Sequence, residues 1–108
     1  MDMRKRGEYK EKLEYSTEEV RTILVEEGQR MEIRYVFEPN IVGPRSKYTG
    51  LPIWIGRTIA TSGKQGVEIY CAREEPFDVD QAIYIATGKL LKKMNLPTQL
   101  ADQVKVRK

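Results

Sequence analysis

The chain of 108 residues contains no histidine and a single cysteine, Cys71. Without an imidazole it lacks the commonest general base, pH switch and metal ligand, and neither a Ser–His nor a Cys–His nucleophile can form. One cysteine allows no intramolecular disulfide, which is typical of a reducing compartment. A zinc site would have to combine this cysteine with carboxylates, an unusual donor set. We therefore expect no catalysis, no cofactor, no bound metal and a cytoplasmic location.

Long apolar runs are also missing. No stretch approaches the roughly 18 apolar residues that read as a membrane-spanning helix. The basic residues near the N-terminus are not followed by an apolar segment, so we expect neither a signal peptide nor a membrane partner. The length and the 40% hydrophobic content are typical of one domain with one core. We assign residues 1–108 to a single domain, with 1–14 as a charged flexible arm and 96–108 as a basic C-terminal tail.

Acidic residues are missing from one region only. Residues 39–67 contain no Asp or Glu, whereas the whole chain has 16. Because salt screens charges beyond roughly 8–10 Å, the local sign of charge matters more to a partner than the net charge of the chain. The region carries four cations and two large aromatic side chains: Arg45, Lys47, Arg57, Lys64, Tyr48 and Trp54. It therefore predicts a positively charged surface and an anionic partner.

The segment after the charged arm has the spacing of an amphipathic helix. Ser16 and Glu19 fit a capping box, and Gly28 fits a helix stop. Three apolar residues between them fall on one helical face: Val20, Ile23 and Leu24. We predict a helix over about 17–28.

The middle of the chain predicts three strands, at 31–38, 51–61 and 67–73, because apolar and polar residues alternate there. Gly56 interrupts the second strand and predicts a bulge. The glycine-rich stretch 62–66 predicts a hairpin turn between the second and third strands. The residues expected to line the core from the sheet are Met31, Ile33, Tyr35, Ile53, Ile55, Val67, Ile69 and Cys71.

A second helix is predicted to begin after Asp78, which can cap it, and to end before Asn95 and Pro97. The expected fold is α+β: a three-stranded antiparallel sheet flanked by an N-terminal and a C-terminal helix, with both helices on one face. Val20 and Leu24 are expected to pack over the sheet from the first helix. Such a sheet leaves two exposed edges, so a homodimer that covers one of them is a natural arrangement.

The predicted order of helix, three strands and helix resembles that of the double-stranded RNA-binding domain. Gly43-Pro44 matches a Gly-Pro that precedes the second strand of that family. The resemblance implies a shared order of elements. It does not extend to the RNA-binding residues of the family, because this chain has no histidine after Gly43-Pro44 and has Glu74-Glu75 where the family has lysines.

The acid-free region predicts a small non-catalytic nucleic-acid-binding protein, with single-stranded DNA or RNA favoured over duplex. In this hypothesis the side chains of Arg45, Lys47, Arg57 and Lys64 neutralise phosphates. The rings of Tyr48 and Trp54 stack on bases or wedge between them.

Other interpretations of the same residues stay open. The basic loop can bind an acidic protein surface, which would make the chain a protein-interaction module such as a small inhibitor, an adaptor or an oligomerising subunit. It can also be an ordinary solvated loop. A second basic region combines helix-end lysines with the tail: Lys89, Lys92, Lys93, Lys105, Arg107 and Lys108. A hydrolase that uses a metal and the carboxylates of residues 74–80 is the third functional class.

Overall fold

A computed structural model describes residues 16–39, 44–51, 54–72 and 77–105 of the chain. Four strands form one antiparallel sheet in the order β1-β2-β3-β4, so each strand pairs with the next one in the chain. The sheet is followed by the helix α1 and a short 3-10 helix. The bounds are β1 Thr17–Glu26, β2 Gln29–Glu38, β3 Trp54–Ser62, β4 Gln65–Ala72, α1 Val79–Lys93 and the 3-10 helix Thr98–Val104.

The core lies between one face of the sheet and the two helices. From Met31 onward every second residue of β2 is buried, which confirms the predicted alternation of that strand. The rings of Tyr35 and Phe37 stack with their centroids 6.4 Å apart, and Phe77 meets Phe37 edge-on. The buried apolar residues are Ile23, Met31, Ile33, Tyr35, Phe37, Ala60, Val67, Ala82, Ile83, Ala86, Leu90, Leu91, Ala101 and Val104.

The predicted N-terminal helix is wrong, because residues 17–26 form the edge strand β1. Its register with β2 places Thr17 opposite Phe37 and Ile23 opposite Met31. The segment is rich in β-branched residues, whose restricted χ1 favours a strand. Gly28 has a φ of 75° and lies in the two-residue turn between β1 and β2, instead of ending a helix.

This correction changes the fold class. The sheet has four strands and not three, and both helices follow the sheet in the chain. Val20 and Leu24, expected in the core, point away from it and are 43% and 51% exposed. The order of elements no longer resembles that of the double-stranded RNA-binding domain.

Other local predictions agree with the structure. A register shift lies between Trp54 and Gly56, where the bulge was predicted. A Cβ at Gly56 would lie 2.9 Å from a ring carbon of Phe77, so only glycine fits there without movement of the ring. Asp78 caps α1 by accepting from the backbone N–H groups of Asp80 and Gln81. Ile53 and the side chain of Ile55 lie outside the described residues.

The 3-10 helix occupies the start of the segment predicted as a basic tail. It packs against α1 and β1 and contributes Ala101 and Val104 to the core. The charged arm at 1–14 and residues 106–108 lie outside the described residues. Within the described part of the chain, no helix is both long and apolar enough to cross a membrane.

Candidate nucleic-acid interface

The described part of the acid-free region includes a compact turn between β2 and β3, residues 44–51. The backbone N–H of Ser46 donates to the carbonyl of Leu51 at 2.9 Å, and the N–H of Gly50 donates back to Ser46 at 3.0 Å. The Ser46 hydroxyl accepts from the N–H groups of Tyr48 and Thr49. These bonds fix the backbone of the turn and therefore the positions of the Cα and Cβ atoms from which its side chains extend.

Tyr48 stands at the tip of this turn and is 94% exposed. A ring that is so little used for packing is available to a partner on both faces. Arg45 and Lys47 lie on the same turn, and both are exposed. Arg45 donates one N–H to the carbonyl of Gly50 at 2.7 Å. This bond uses one of the five N–H donors of the guanidinium. The turn therefore presents two cations and an aromatic ring, with no carboxylate in residues 44–51.

Arg57 lies in a different environment, on the outer face of the sheet, which is the face turned away from α1. Its Nε donates to the Glu38 carboxylate at 2.6 Å, and its Nη1 lies 3.9 Å from the carboxylate of Glu68. The hydrogen bond with Glu38, followed by that with Tyr70, raises the pKa of the guanidinium. With two carboxylates beside it, Arg57 is unsuited to bind a phosphate.

Glutamates and arginines share the rest of the outer face. Arg34 of β2 pairs with Glu18 of β1 at 2.8 Å, across neighbouring strands. Glu32 points to the same face. Because carboxylates are spread over this surface, it does not favour a polyanion.

Lys64 and Trp54, the other two candidates from the sequence, lie at opposite ends of β3. Lys64 is exposed in the hairpin turn between β3 and β4. Trp54 begins β3, and its side chain lies outside the described residues. Since β3 rises about 3.3 Å per residue, Lys64 is separated by roughly 25 Å from the end of β3 that the turn 44–51 precedes. The structure thus brings together Arg45, Lys47 and Tyr48 but does not add Arg57 or Lys64 to them.

Two lysines of the second basic region, Lys89 and Lys93, hydrogen-bond to the sheet. Lys89 Nζ donates to the backbone carbonyl of Glu68 at 2.7 Å, and Lys93 Nζ donates to that of Gly66 at 2.8 Å. Both carbonyls belong to β4, an edge strand of the sheet. The two side chains cover these two carbonyls on the free edge of β4, and a shallow groove lined by Ile59, Tyr70 and these lysines runs beside it. Lys92, between them in sequence, is exposed.

A further arrangement at the opposite edge could not be inferred from the sequence. The Gln103 side chain accepts from the Leu24 N–H at 2.9 Å and donates to the Leu24 carbonyl at 2.8 Å. A neighbouring strand would make the same two bonds with a residue of β1. The two residues are 79 positions apart, so no local pattern relates them.

Metal chemistry finds no support in the described part of the chain, where no group of three or more Cys, Asp or Glu residues could hold an ion. Glu74 and Glu75 of the predicted carboxylate cluster lie outside the described residues. Comparisons of the chain with protein-family models, with curated proteins and with solved structures find no match.

Proposed function

We propose that this chain is a small non-catalytic module that binds single-stranded nucleic acid through the turn at residues 44–51. The observation that carries the proposal is the 94% exposure of Tyr48 on a hydrogen-bonded turn that also carries Arg45 and Lys47. An exposed ring with adjacent cations is the combination that single strands require, because bases stack on the ring while phosphates meet the cations.

A single strand is favoured over a duplex by the shape of this site. The bases of a duplex are stacked on one another, and a protruding ring could reach them only by opening a step, which costs a few kcal/mol. An unpaired base can stack on Tyr48 without that cost. The short turn also lacks a helix or a two-stranded ribbon that would fill a major groove.

The proposed site is smaller than the set predicted from the sequence. It retains Arg45, Lys47 and Tyr48 and omits Arg57, whose guanidinium is paired with Glu38. Lys64 is omitted because it lies at the far end of β3. A site with two phosphate contacts implies modest affinity and a shallow dependence on salt.

Fluorescence anisotropy with labelled single-stranded DNA, single-stranded RNA and duplex DNA at two salt concentrations tests the proposal. We expect single strands to bind more tightly than duplex, with weaker binding at higher salt. Tyr48→Ala should weaken binding by about 1–3 kcal/mol, the usual value of one stacked base. Tyr48→Phe should retain most of the affinity, because it keeps the ring.

Lys64→Ala is the matched control, since it removes one exposed cation far from the turn. If Lys64→Ala and Lys47→Ala weaken binding equally, the effect is one of general charge and the proposed site is wrong. The same conclusion follows if Tyr48→Ala binds as well as the unaltered chain, or if no strand binds.

A contact with protein is the second candidate, and a separate observation favours it. Among the described residues, no side chain bonds to the β1 edge ahead of Leu24, whereas Lys89 and Lys93 bond to the β4 edge. The β1 edge favours pairing with another chain rather than contact with a nucleic acid, because an extended backbone there would meet matching N–H and C=O groups.

A further inference from the structure

The free edge of β1 contains backbone groups without partners in the described part of the chain. In an antiparallel pair, successive residues direct their N–H and C=O alternately toward the partner strand and away from it. Leu24 directs both groups away from β2, because both bond to Gln103. Counting back in steps of two, Thr22, Val20 and Glu18 have the same orientation. Among the described residues, no side chain or strand bonds to these outward groups.

We propose that this edge is a homodimer interface, in which β1 pairs with β1 of a second copy in antiparallel orientation. The two four-stranded sheets would then form one continuous sheet. The inference does not depend on nucleic-acid binding, because it concerns a different part of the molecule.

Gln103 limits the register that such a pair can adopt. It occupies the edge at Leu24, so a second strand can pair only with the part of β1 that precedes Leu24. The outward residues in that part are Glu18, Val20 and Thr22, and their centre is Val20. A two-fold axis at Val20 places Val20 opposite itself and Glu18 opposite Thr22. Each of these pairs exchanges two backbone hydrogen bonds.

Charge favours the same register. With the axis at Val20, Glu19 of each copy lies opposite Arg21 of the other, on the face of the sheet that carries α1. The two residues already form an ion pair within one chain, and their side chains are 36% and 34% exposed, so they can be shared with a second copy. An axis at residue 19 would instead place Glu19 against Glu19, and an axis at residue 21 would place Arg21 against Arg21. Like charges directly opposite across strands destabilise the pairing.

The outer face of the edge is also suited to a second copy. Val20 is 43% exposed in the single chain and would contact the same side chain of the other copy. A partner strand of a single charge sign would lack this match, because it would place a like charge opposite either Glu19 or Arg21. A second copy of β1 places Val20 against Val20 and a charge of opposite sign against each of these two residues.

The test uses the intact chain in sedimentation equilibrium over a concentration series. We expect a monomer–dimer equilibrium. Arg21→Glu places carboxylates opposite Glu19 at two symmetric positions and should weaken the dimer at least roughly tenfold. Glu19→Arg should do the same with guanidinium groups.

Two further samples separate the proposed register from general charge effects. The double variant Glu19→Arg/Arg21→Glu restores opposite charges and should dimerise as the unaltered chain does. An equimolar mixture of the two single variants should form the heterodimer, because each supplies the charge that the other lacks. Lys64→Glu, which makes the same change of charge in the exposed turn between β3 and β4, far from β1, is the control and should leave association unchanged.

Several results would overturn the proposal. A monomer at every concentration excludes the interface. A dimer that Arg21→Glu leaves intact uses another surface. A double variant that stays as weak as the singles excludes the register with its axis at Val20. Circular dichroism of each variant shows whether it is folded, and the mixing experiment works only with folded chains.

Discussion

The two edges of the sheet face the same physical problem and have different solutions. On β4, Lys89 and Lys93 of α1 donate to the outward carbonyls of Glu68 and Gly66. On β1, Gln103 bonds to both backbone groups of Leu24 and the described chain leaves the rest of the strand uncovered. An uncovered strand edge pairs readily with other chains, and lysines are a common means of blocking it.

In the described part of the chain, the two edges therefore differ in how easily a second strand could pair with them. The β4 edge is covered by flexible charged side chains, which a second strand would have to displace. The β1 edge is blocked at Leu24 by the Gln103 side chain, which makes the two bonds that a neighbouring strand would make. Pairing with a second strand is therefore limited to the part of β1 that precedes Leu24. Among the described residues one edge is left uncovered, so under the proposed pairing two copies would close on each other and would not extend into a fibre.

Proline at the centre of the β1 edge should have the largest effect on association. Val20→Pro removes the outward N–H, which has no partner in the described single chain, and edge positions of this kind tolerate proline. Two hydrogen bonds of the dimer are lost, one from each copy, at about 0.5–1.5 kcal/mol each, so the dimer should weaken roughly 5- to 150-fold. Sedimentation equilibrium measures it. Glu68→Pro is the counterpart on β4 and should leave association unchanged; equal effects would show that the two edges do not differ.

A substitution in the core should change the free energy of unfolding without changing how either edge of the sheet associates. The Tyr35 hydroxyl donates to Thr87 Oγ1, which in turn donates to the Ile83 carbonyl. Thr87→Val leaves the buried tyrosine hydroxyl without its partner and should cost about 1–3 kcal/mol in urea unfolding. Tyr35→Phe/Thr87→Val should be less damaging than Thr87→Val alone. A dimer affinity that changes together with stability would show that the core and the edges are not independent.

Burial also raises the pKa of Tyr35 above that of an ordinary tyrosine. Below pH about 10 the residue is neutral in both the folded and the unfolded chain, so its contribution to stability is fully present. At higher pH the unfolded chain loses the proton first, and stability falls until the folded pKa is reached, by at most about 1.4 kcal/mol per pH unit. Urea unfolding from pH 9 to 11 should show a shallower decline in Tyr35→Phe. An unchanged decline would contradict this.

Removal of the strand-like cap should have a smaller effect. Gln103→Ala loses both bonds to Leu24 on an exposed edge, so we expect a loss of about 1 kcal/mol in the free energy of unfolding. Amide hydrogen exchange at Leu24 should become faster. Gln103→Glu keeps the acceptor and loses the donor, so it should protect the Leu24 amide better than Gln103→Ala does. Identical exchange in the two variants would show that the N–H bond contributes nothing.

The local signals of this fold were predictable, and the long-range ones were not. The alternation of β2, the bulge at Gly56 and the cap at Asp78 each depend on neighbouring residues, and all three were found from the sequence. The strand β1 was missed because Val20, Ile23 and Leu24 also satisfy a helical period, and only pairing with β2 decides between the two structures.

The candidate site shows the same division. The acid-free region indicated Arg45, Lys47 and Tyr48 because they are neighbours in sequence. The pairing of Arg57 with Glu38 depends on the register of β2 with β3, and the sequence does not state this register. The sequence therefore grouped Arg57 with the basic loop, although its charge is paired with Glu38 on the sheet.

The lysines over β4 provide the smallest test of the comparison between the edges. Lys89→Ala/Lys93→Ala removes two exposed hydrogen bonds, so the free energy of unfolding should fall by less than about 1 kcal/mol. The β4 carbonyls would then be uncovered, and species larger than a dimer should appear at high concentration in light scattering, since each chain would have two open edges. Lys92→Ala, which removes the exposed lysine between them, should not produce these species. If the double variant also stays a dimer, the lysines are not what blocks β4, and the groups of Gly66 and Glu68 are protected by the sheet geometry alone.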